Sequence, residues 1–494
     1  MDFLDPKRKR AYNIRLAVGF VLITVALILG TTILALITAG YGFNTKTGQV
    51  FQNGLVFINA QPTSASIYEN GHPAGTTNAR LELPAGNYNF VLKQAGYHDW
   101  SNNLTLFGGS VQQLNYPFLF PTKPIAKSVL TMSSAPQIAT ETPNRHWLLV
   151  TIPGQTEQFN VIDATNIKTP QTTVTIPSSL LNNQPGTNNF KVVQWSTDNQ
   201  HVILEDDFDG GSSFIMFDWA DPTTSVNLTQ QFSTTTISSV RMQNNNFDTL
   251  YIYNANDKSL NLAKISDNSV TPVLTNVLAY WPYATNQIVY TTPDAKDSDA
   301  ALAMLWSSGK SNELRSLPSG SSYQLNIATY SGHSYVIVGS SGSDYAYIYE
   351  DPLTQISNQP GTMPLPTTLL VSSGTPQNVT FSNSARFIAL QSGSQFAVYD
   401  LETQTHYRYD TGYPLSPNEV GNWMDGNRLT FISGGQLVVF DFDGTNKVTF
   451  TPSGNDYLPA FSQSYDSVYT VTPTPGSPTG QFEVLRTSLI ANKF

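Results

Sequence analysis

The chain has 494 residues, 40% of them hydrophobic and 12% aromatic, which is enough to build several packed cores and excludes a disordered chain. Only 12% are charged and the net charge is −10; beyond residue 40, 20 basic residues face 33 acidic ones, so nothing supplies the basic face that a nucleic acid requires. Cysteine is absent, which excludes disulfides, thiolate metal sites and a cysteine nucleophile, and favours a bacterial source.

Residues 1–15 form a basic tail with Lys7, Arg8, Lys9, Arg10 and Arg15. The run LAVGFVLITVALILGTTILALITA follows, 24 residues without a charge. As a helix it would be about 36 Å long, enough to span a bilayer with some tilt. The hydroxyls of Thr24, Thr31, Thr32 and Thr38 can bond back to helix carbonyls, which makes them tolerable in lipid. A secretory signal has a shorter apolar region and a small-residue cleavage site, so residues 16–40 read as an uncleaved anchor. Basic residues stay on the cytoplasmic side, which places the N-terminus inside a single-pass cell-membrane protein and its bulk outside. Ala26 and Gly30, or Thr31, Ala35 and Ala39, have the small-xxx-small spacing that packs two helices together, but no second signal supports a homodimer.

Residues 53–120 hold short β runs between turn signals: LVFINA, SASIY before Asn70-Gly71, RLEL before Pro84-Ala85-Gly86, and NYNFVLK before Gly96. In the last run Tyr88, Phe90 and Leu92 share one face, the period of a half-buried strand. Asn70-Gly71 is a tight-hairpin signal, because both central residues of such a turn need positive φ. A small β-sandwich of about six or seven strands is expected.

The stretch GLVFINAQPTSASIYENG, then AGTT, LPAGNYNFVLKQAGY and VQQLNY resembles the PEGA domain family. Pro62, Ala65, Ile67, Gly71, Gly75, Leu83, Pro84, Ala85, Gly86, Tyr88, Gly96 and Tyr97 fit the family pattern; Asn70 and Thr77-Asn78 depart from it. The resemblance implies an extracytoplasmic β-sandwich module with no catalytic residues. His98 and Trp100, flanking Asp99, are candidate ligand contacts, since an aromatic beside hydrogen-bonding groups suits a sugar face. The competing reading is a strand start with Trp100 in the core.

After the proline-rich connector PFLFPTKPIAKSV, one pattern recurs through residues 121–494: an anchor residue, turn residues, a hydrophobic strand, and a second strand rich in aromatics. Anchors fall at Glu141, Trp195, Gln243, Trp281, Tyr330, Phe381, Trp423 and Phe461, spaced 38 to 54 residues apart. That period suits a four-stranded propeller blade, whereas tandem sandwiches would repeat at about 100 residues. The copies WSTDNQHVILE and WMDGNRLTFIS look like those of Tol-system and WD-repeat-like propellers, which speaks of fold and not of activity. The fold class is therefore mainly β, with a β-propeller of eight blades, or alternatively seven. Its ring is expected to close through KSVLTM, residues 127–132, and Trp195, Trp281 and Trp423 read as packing between sheets.

No nucleophile elbow, zinc helix or phosphate loop occurs, and the six histidines are scattered singly. No catalytic residue, cofactor or metal ligand is therefore assigned. Glu205, Asp207 and Asp209 resemble the start of a calcium loop, but the carboxylate expected eleven residues after Glu205 is replaced by Met216. The reading that follows is an anchored envelope protein, not an enzyme. Its propeller would bind or scaffold an envelope protein or a cell-wall glycan. Two alternatives are a propeller glycoside hydrolase or lyase with carboxylates at the ring centre, and a structural surface-coat component. Two acids about 5 to 9 Å apart would favour the enzyme, a Thr/Asn-lined centre would favour binding.

Overall fold

The computed structural model describes residues 6–38, 40–43, 50–166, 168, 171–183, 186–208, 210–415, 419–477 and 480–492. Helix α1 spans Pro6–Thr38 and is the one helix among the described residues long and apolar enough to cross a membrane. Thr24, Thr31, Thr32 and Thr38 each bond a carbonyl one turn back, at 2.8 to 3.0 Å. Lys7 and Arg8 side chains, and Ala39, lie outside the described residues. The helix ends where Gly40, at φ +79°, donates its N–H to the Ile37 carbonyl at 3.0 Å.

The chain divides into two compact units, Met1–Thr122 and Lys123–Phe494. The smaller carries strands β1 (Tyr41–Phe43), β2 (Val50–Ile58), β3 (Ser66–Glu69), β4 (His72–Thr76), β5 (Ala79–Pro84), β6 (Gly86–Lys93), β7 (Trp100–Leu106) and β8 (Val111–Leu114). They form two four-stranded sheets, one of β1, β2 and β5 with β8 parallel to β2, the other in the order β4-β3-β6-β7. Seven of them, β2 to β8, fall in the segment for which six or seven were expected, and β1 precedes it; β4, HPAGT, carries a proline and a glycine and reads as turn in the sequence.

Period two governs the core of this unit: Val56 and Ile58, Ala65 and Ile67, Phe90 and Leu92 are buried at alternate positions. Asn70 and Gly71 close the β3–β4 hairpin at φ +48° and +84°, as a tight turn of the mirror-image type demands. Trp100 opens β7 at 1% exposure, its ring edge-on to Tyr116 with centroids 5.6 Å apart. Replacing so large a buried ring leaves a cavity, so Trp100→Ala should cost about 3–5 kcal/mol. Hydrogen exchange of β6 and β7 amides in the full chain checks this; unchanged protection would refute it.

The larger unit contains eight four-stranded antiparallel sheets, seven of them meanders of four consecutive strands. Their first strands are Ala139–Glu141, Asn189–Trp195, Ser239–Met242, Ala279–Tyr283, Tyr323–Tyr330, Asn378–Phe381, Asn422–Trp423 and Ala460–Phe461. Every repeat anchor lies within or directly after one of these strands, so the period seen in the sequence is the period of the sheets. The eighth sheet takes its outermost strand from Ala126–Met132, which pairs antiparallel with Phe482–Ser488.

Second and third strands read as continuous apolar runs because both faces are buried. Val202 and Leu204 enter a core shared by the first and second sheets, while Ile203 between them enters a core shared by the second and third. Further cores join the third to the fourth sheet, the fourth to the fifth, and the fifth to the sixth. Phe396 and Phe387 pack on Phe440 and Phe442 between the sixth and seventh. Another core joins Leu148, Val150 and Ile162 of the first sheet to Tyr469, Val471 and Val484 of the eighth.

Candidate functional site

A side-chain circuit links the first strands. Trp195 Nε1 donates to Thr140 Oγ1 at 2.9 Å, from the second sheet to the first. The Met242 N–H donates to Gln194 Oε1 at 2.9 Å, from the third to the second. Ser239 and Tyr280 hydroxyls meet at 3.3 Å, and Tyr283 donates to Thr329 Oγ1 at 2.9 Å, reaching the fifth sheet. Asn326 Nδ2 donates to the Val379 carbonyl at 3.3 Å, and Trp423 Nε1 to Thr380 Oγ1 at 3.0 Å. Tyr465, in the turn after Phe461, donates to the Met424 carbonyl at 3.2 Å. Finally the Phe461 N–H donates to the Glu141 carboxyl and returns the circuit to the first sheet.

Inside this circuit lies a cavity of about 610 Å³ lined by first-strand residues of the first, second, sixth, seventh and eighth sheets. Trp195 and Trp423 line it with Phe381 and Phe461; Thr140, Thr380, Thr430, Gln194, Asn383 and Asn422 supply hydroxyls and amides. Both tryptophans have their only polar atom bound to a threonine of the preceding sheet, which fixes the ring plane. These residues, read from sequence as packing between sheets, therefore pack and line the cavity at once. Trp281 differs, since the Arg241 guanidinium lies over its ring at 4.1 Å.

Glu141 and Arg145 are the charged lining residues. Burial pushes the Glu141 carboxyl up to about 8, overriding the nearby Arg145 charge and the Phe461 N–H, which act the other way. Arg145 is held by its Nη2 bond to the Met424 carbonyl at 2.9 Å and lies over the Tyr465 ring at 4.7 Å. At neutral pH the cavity therefore presents a carboxylic acid able to donate a hydrogen bond. Among the described lining residues Glu141 is the sole carboxylate, so there is no acid pair there of the kind hydrolysis of a glycosidic bond uses.

The residues singled out from sequence lie elsewhere. The start of β7 divides the His98–Trp100 triplet: His98 and Asp99 lie exposed before the strand, Asp99 paired with Lys93 at 2.7 Å, and Trp100 is sealed in the core, where it has no face to offer a ligand. Glu205 and Asp207 share one face of a hairpin strand, and Asp207 is held by Lys191 at 2.5 Å. Asp209 lies outside the described residues. Between the first two, Asp206 points the other way; it is fully buried, takes the Asn189 N–H on Oδ1 at 3.1 Å, and its carboxyl is raised by burial.

One group of potential metal donors went unread in the sequence. His333, Glu350 and Asp351 bring three ligand atoms within 4.8 Å of one another. His333 Nδ1 lies 2.6 Å from Asp351 Oδ2, a contact that raises the imidazole pKa. The ladder pairs Tyr335 with Glu350, and Asp351 at φ +45° breaks strand alternation, so two successive carboxylates turn toward one histidine.

Successive four-stranded sheets, joined by shared cores, give the large unit the fold of a β-propeller. The chain is similar to the β-propeller domain of Cps50 (Swd1) from Myceliophteria thermophila, at 9% identity over 73% of this chain and 99% of that one, with a TM-score of 0.40. It is also similar to an oligogalacturonate lyase in complex with manganese, at 9% identity over 74% and 98%, TM-score 0.39. A third likeness is to dihydro-heme d1 dehydrogenase NirN in complex with DHE, at 10% identity over 65% and 68%, TM-score 0.41. At such identities the likeness concerns fold alone. No curated protein matches the chain. Residues 53–119, the body of the small unit, match the model of the PEGA domain family.

Proposed function

We propose that the chain is a single-pass membrane protein with its N-terminus in the cytoplasm, and that its large unit is a closed, eight-bladed propeller working outside the cytoplasm as a binding platform. The small unit, whose strands lie between α1 and the large unit in chain order, is read as a β-sandwich. The basic residues before an uncharged apolar helix support the orientation. The eight sheets, the circuit of first-strand bonds and the core shared by the eighth and first sheets support the closed ring.

The lining of the central cavity carries the reading of function. Two fixed indoles, hydroxyls, amides and a neutral carboxylic acid, beside the Arg145 guanidinium held by the Met424 carbonyl and the Tyr465 ring, suit a polyhydroxylated ligand, which favours an envelope glycan over a protein segment. A single carboxylate supports binding rather than glycoside hydrolysis. Titration of neutral cell-wall oligosaccharides against the full chain in nanodiscs, followed by tryptophan fluorescence, tests this. Saturable binding is expected, and Trp423→Ala or Trp195→Ala should each lose about 2 kcal/mol, roughly 30-fold in affinity. Saturable binding untouched by either substitution would remove the cavity from the role, and absence of binding would remove the glycan.

A further inference from the structure

The end of the small unit that adjoins α1 exposes apolar side chains. Phe107 is 66% exposed and Val111 54%, in the connection between β7 and β8; Val50, at the start of β2, is 67% exposed. Tyr41, opposite Gln52 in the β1–β2 ladder, is exposed too. Hydrogen bonds tie this loop to the helix end: Gly109 donates to the Asn53 carbonyl at 2.8 Å, Asn53 donates to the Gly40 carbonyl at 2.8 Å, and Gly40 donates to the Ile37 carbonyl at 3.0 Å. Ile37, Thr38, Gly109 and Val111 line one cleft of about 520 Å³.

The loop is also pressed against β2. A Cβ at Gly54 would lie 2.7 Å from the Phe107 carbonyl oxygen, and one at Gly108 would lie 2.7 Å from Gln52 Cβ, so only glycines allow this approach. Charge is distributed to match. No charged residue occurs from Trp100 to Thr122, whereas the opposite end of the same strands carries the Lys93–Asp99 ion pair.

We propose that residues 107–111, with Tyr41 and Val50 beside them, insert into the boundary between lipid headgroups and acyl chains, and so seat the small unit on the bilayer surface. The proposal rests on the reading of α1 as a membrane span. A patch of Phe, Val and Tyr continuous with the end of α1, whose loop carries no charge and whose cleft is bordered by one residue of each sign, Arg80 and Glu82 of β5, is what an interfacial contact requires. No anionic lipid is needed, because no basic residue lies in the loop.

Because the chain has no cysteine, single cysteines can be labelled cleanly. Phe107→Cys and Ala95→Cys, each carrying an environment-sensitive fluorophore, are placed in full chains in phosphatidylcholine nanodiscs, with or without lipid bearing a nitroxide near the top of its acyl chain. Ala95 lies two residues beyond Lys93, the far end of β6, which is seven residues and about 23 Å along the strand from Gly86. The label at position 107 should emit to the blue and lose intensity to the nitroxide lipid, and the label at 95 should do neither. If the chain enters nanodiscs but the label at 107 behaves as in water, the seating is wrong and the anchor stands. If the chain does not enter nanodiscs, the anchor reading itself fails and takes the seating with it. Quenching at 107 by a nitroxide-labelled second copy, and not by lipid, would make the patch a dimer face and overturn the proposal.

Discussion

Removing residues 126–132 should abolish the native fold of the large unit rather than trim it. This strand is the outermost of the eighth sheet, paired with Phe482–Ser488 from Ala126 opposite Thr487 to Met132 opposite Phe482. It supplies Met132, Val129 and Leu130 to the core that joins the eighth sheet to the first. Loss of one buried aliphatic side chain costs about 2–5 kcal/mol, so loss of the buried Met132, the half-buried Val129 and Leu130 and a full row of ladder bonds exceeds about 5 kcal/mol, comparable with the whole stability of a domain. The freed edge of Phe482–Ser488 would also present unpaired backbone groups to other chains. Size-exclusion chromatography and near-ultraviolet circular dichroism of the truncated protein are expected to show aggregates without fixed tertiary signal. A monomer with native circular dichroism would mean that the unit is not closed by this strand.

The second large effect concerns Glu141. Its carboxyl titrates near 8 in the folded chain and near the ordinary carboxylate value of 4.5 when unfolded. Between these values the folded state holds a proton that the unfolded state has released, so the stability associated with this group is complete below 4.5, declines as pH rises, and is lost once pH passes 8. Each unit of difference corresponds to about 1.4 kcal/mol, which puts the decline at a few kcal/mol. Glu141→Gln keeps an acceptor for the Phe461 N–H and cannot ionise. Melting temperatures of the two chains should converge near pH 5, with the substituted chain the more stable above pH 8. Asp206 is raised by burial as well and titrates in the same sense in both chains, so the difference isolates Glu141. Parallel curves for the two chains would show that Glu141 is not buried as described.

Much of the architecture was readable because the strands of the large unit are buried on both faces and therefore appear as unbroken apolar runs behind a recurring anchor. The eight anchors mark the first strands, and residues 127–132 fall on the strand that completes the eighth sheet. Helix α1 was readable for the same reason, as a long run without charge. The PEGA-like segment was readable from its turn residues, yet β4 escaped because its proline and glycine imitate a loop.

The site was far less readable. Glu141 opened one of the weaker repeat copies, and only its position gave a hint: among eight anchors it is the single acid, where the rest are aromatic or, at Gln243, an amide. Nothing along the chain tells that Phe461, 320 residues later, donates to it. His333 and Glu350 met through a ladder register that the sequence does not state, and Asp351 joined them through a left-handed backbone that no local pattern announced. The acidic run at 205–209 looked like a loop on composition, whereas a hairpin strand sends Asp206 inward and keeps Glu205 and Asp207 on the other face.

The pairing of Ala126 with Thr487 has a mechanical consequence. The chain enters and leaves the large unit on neighbouring strands, at the same edge, with partner Cα atoms about 5 Å apart. Tension applied between that entry and that exit does not load the sheets in parallel. It peels one strand from the other a rung at a time, so the unit gives way to a pull at its seam.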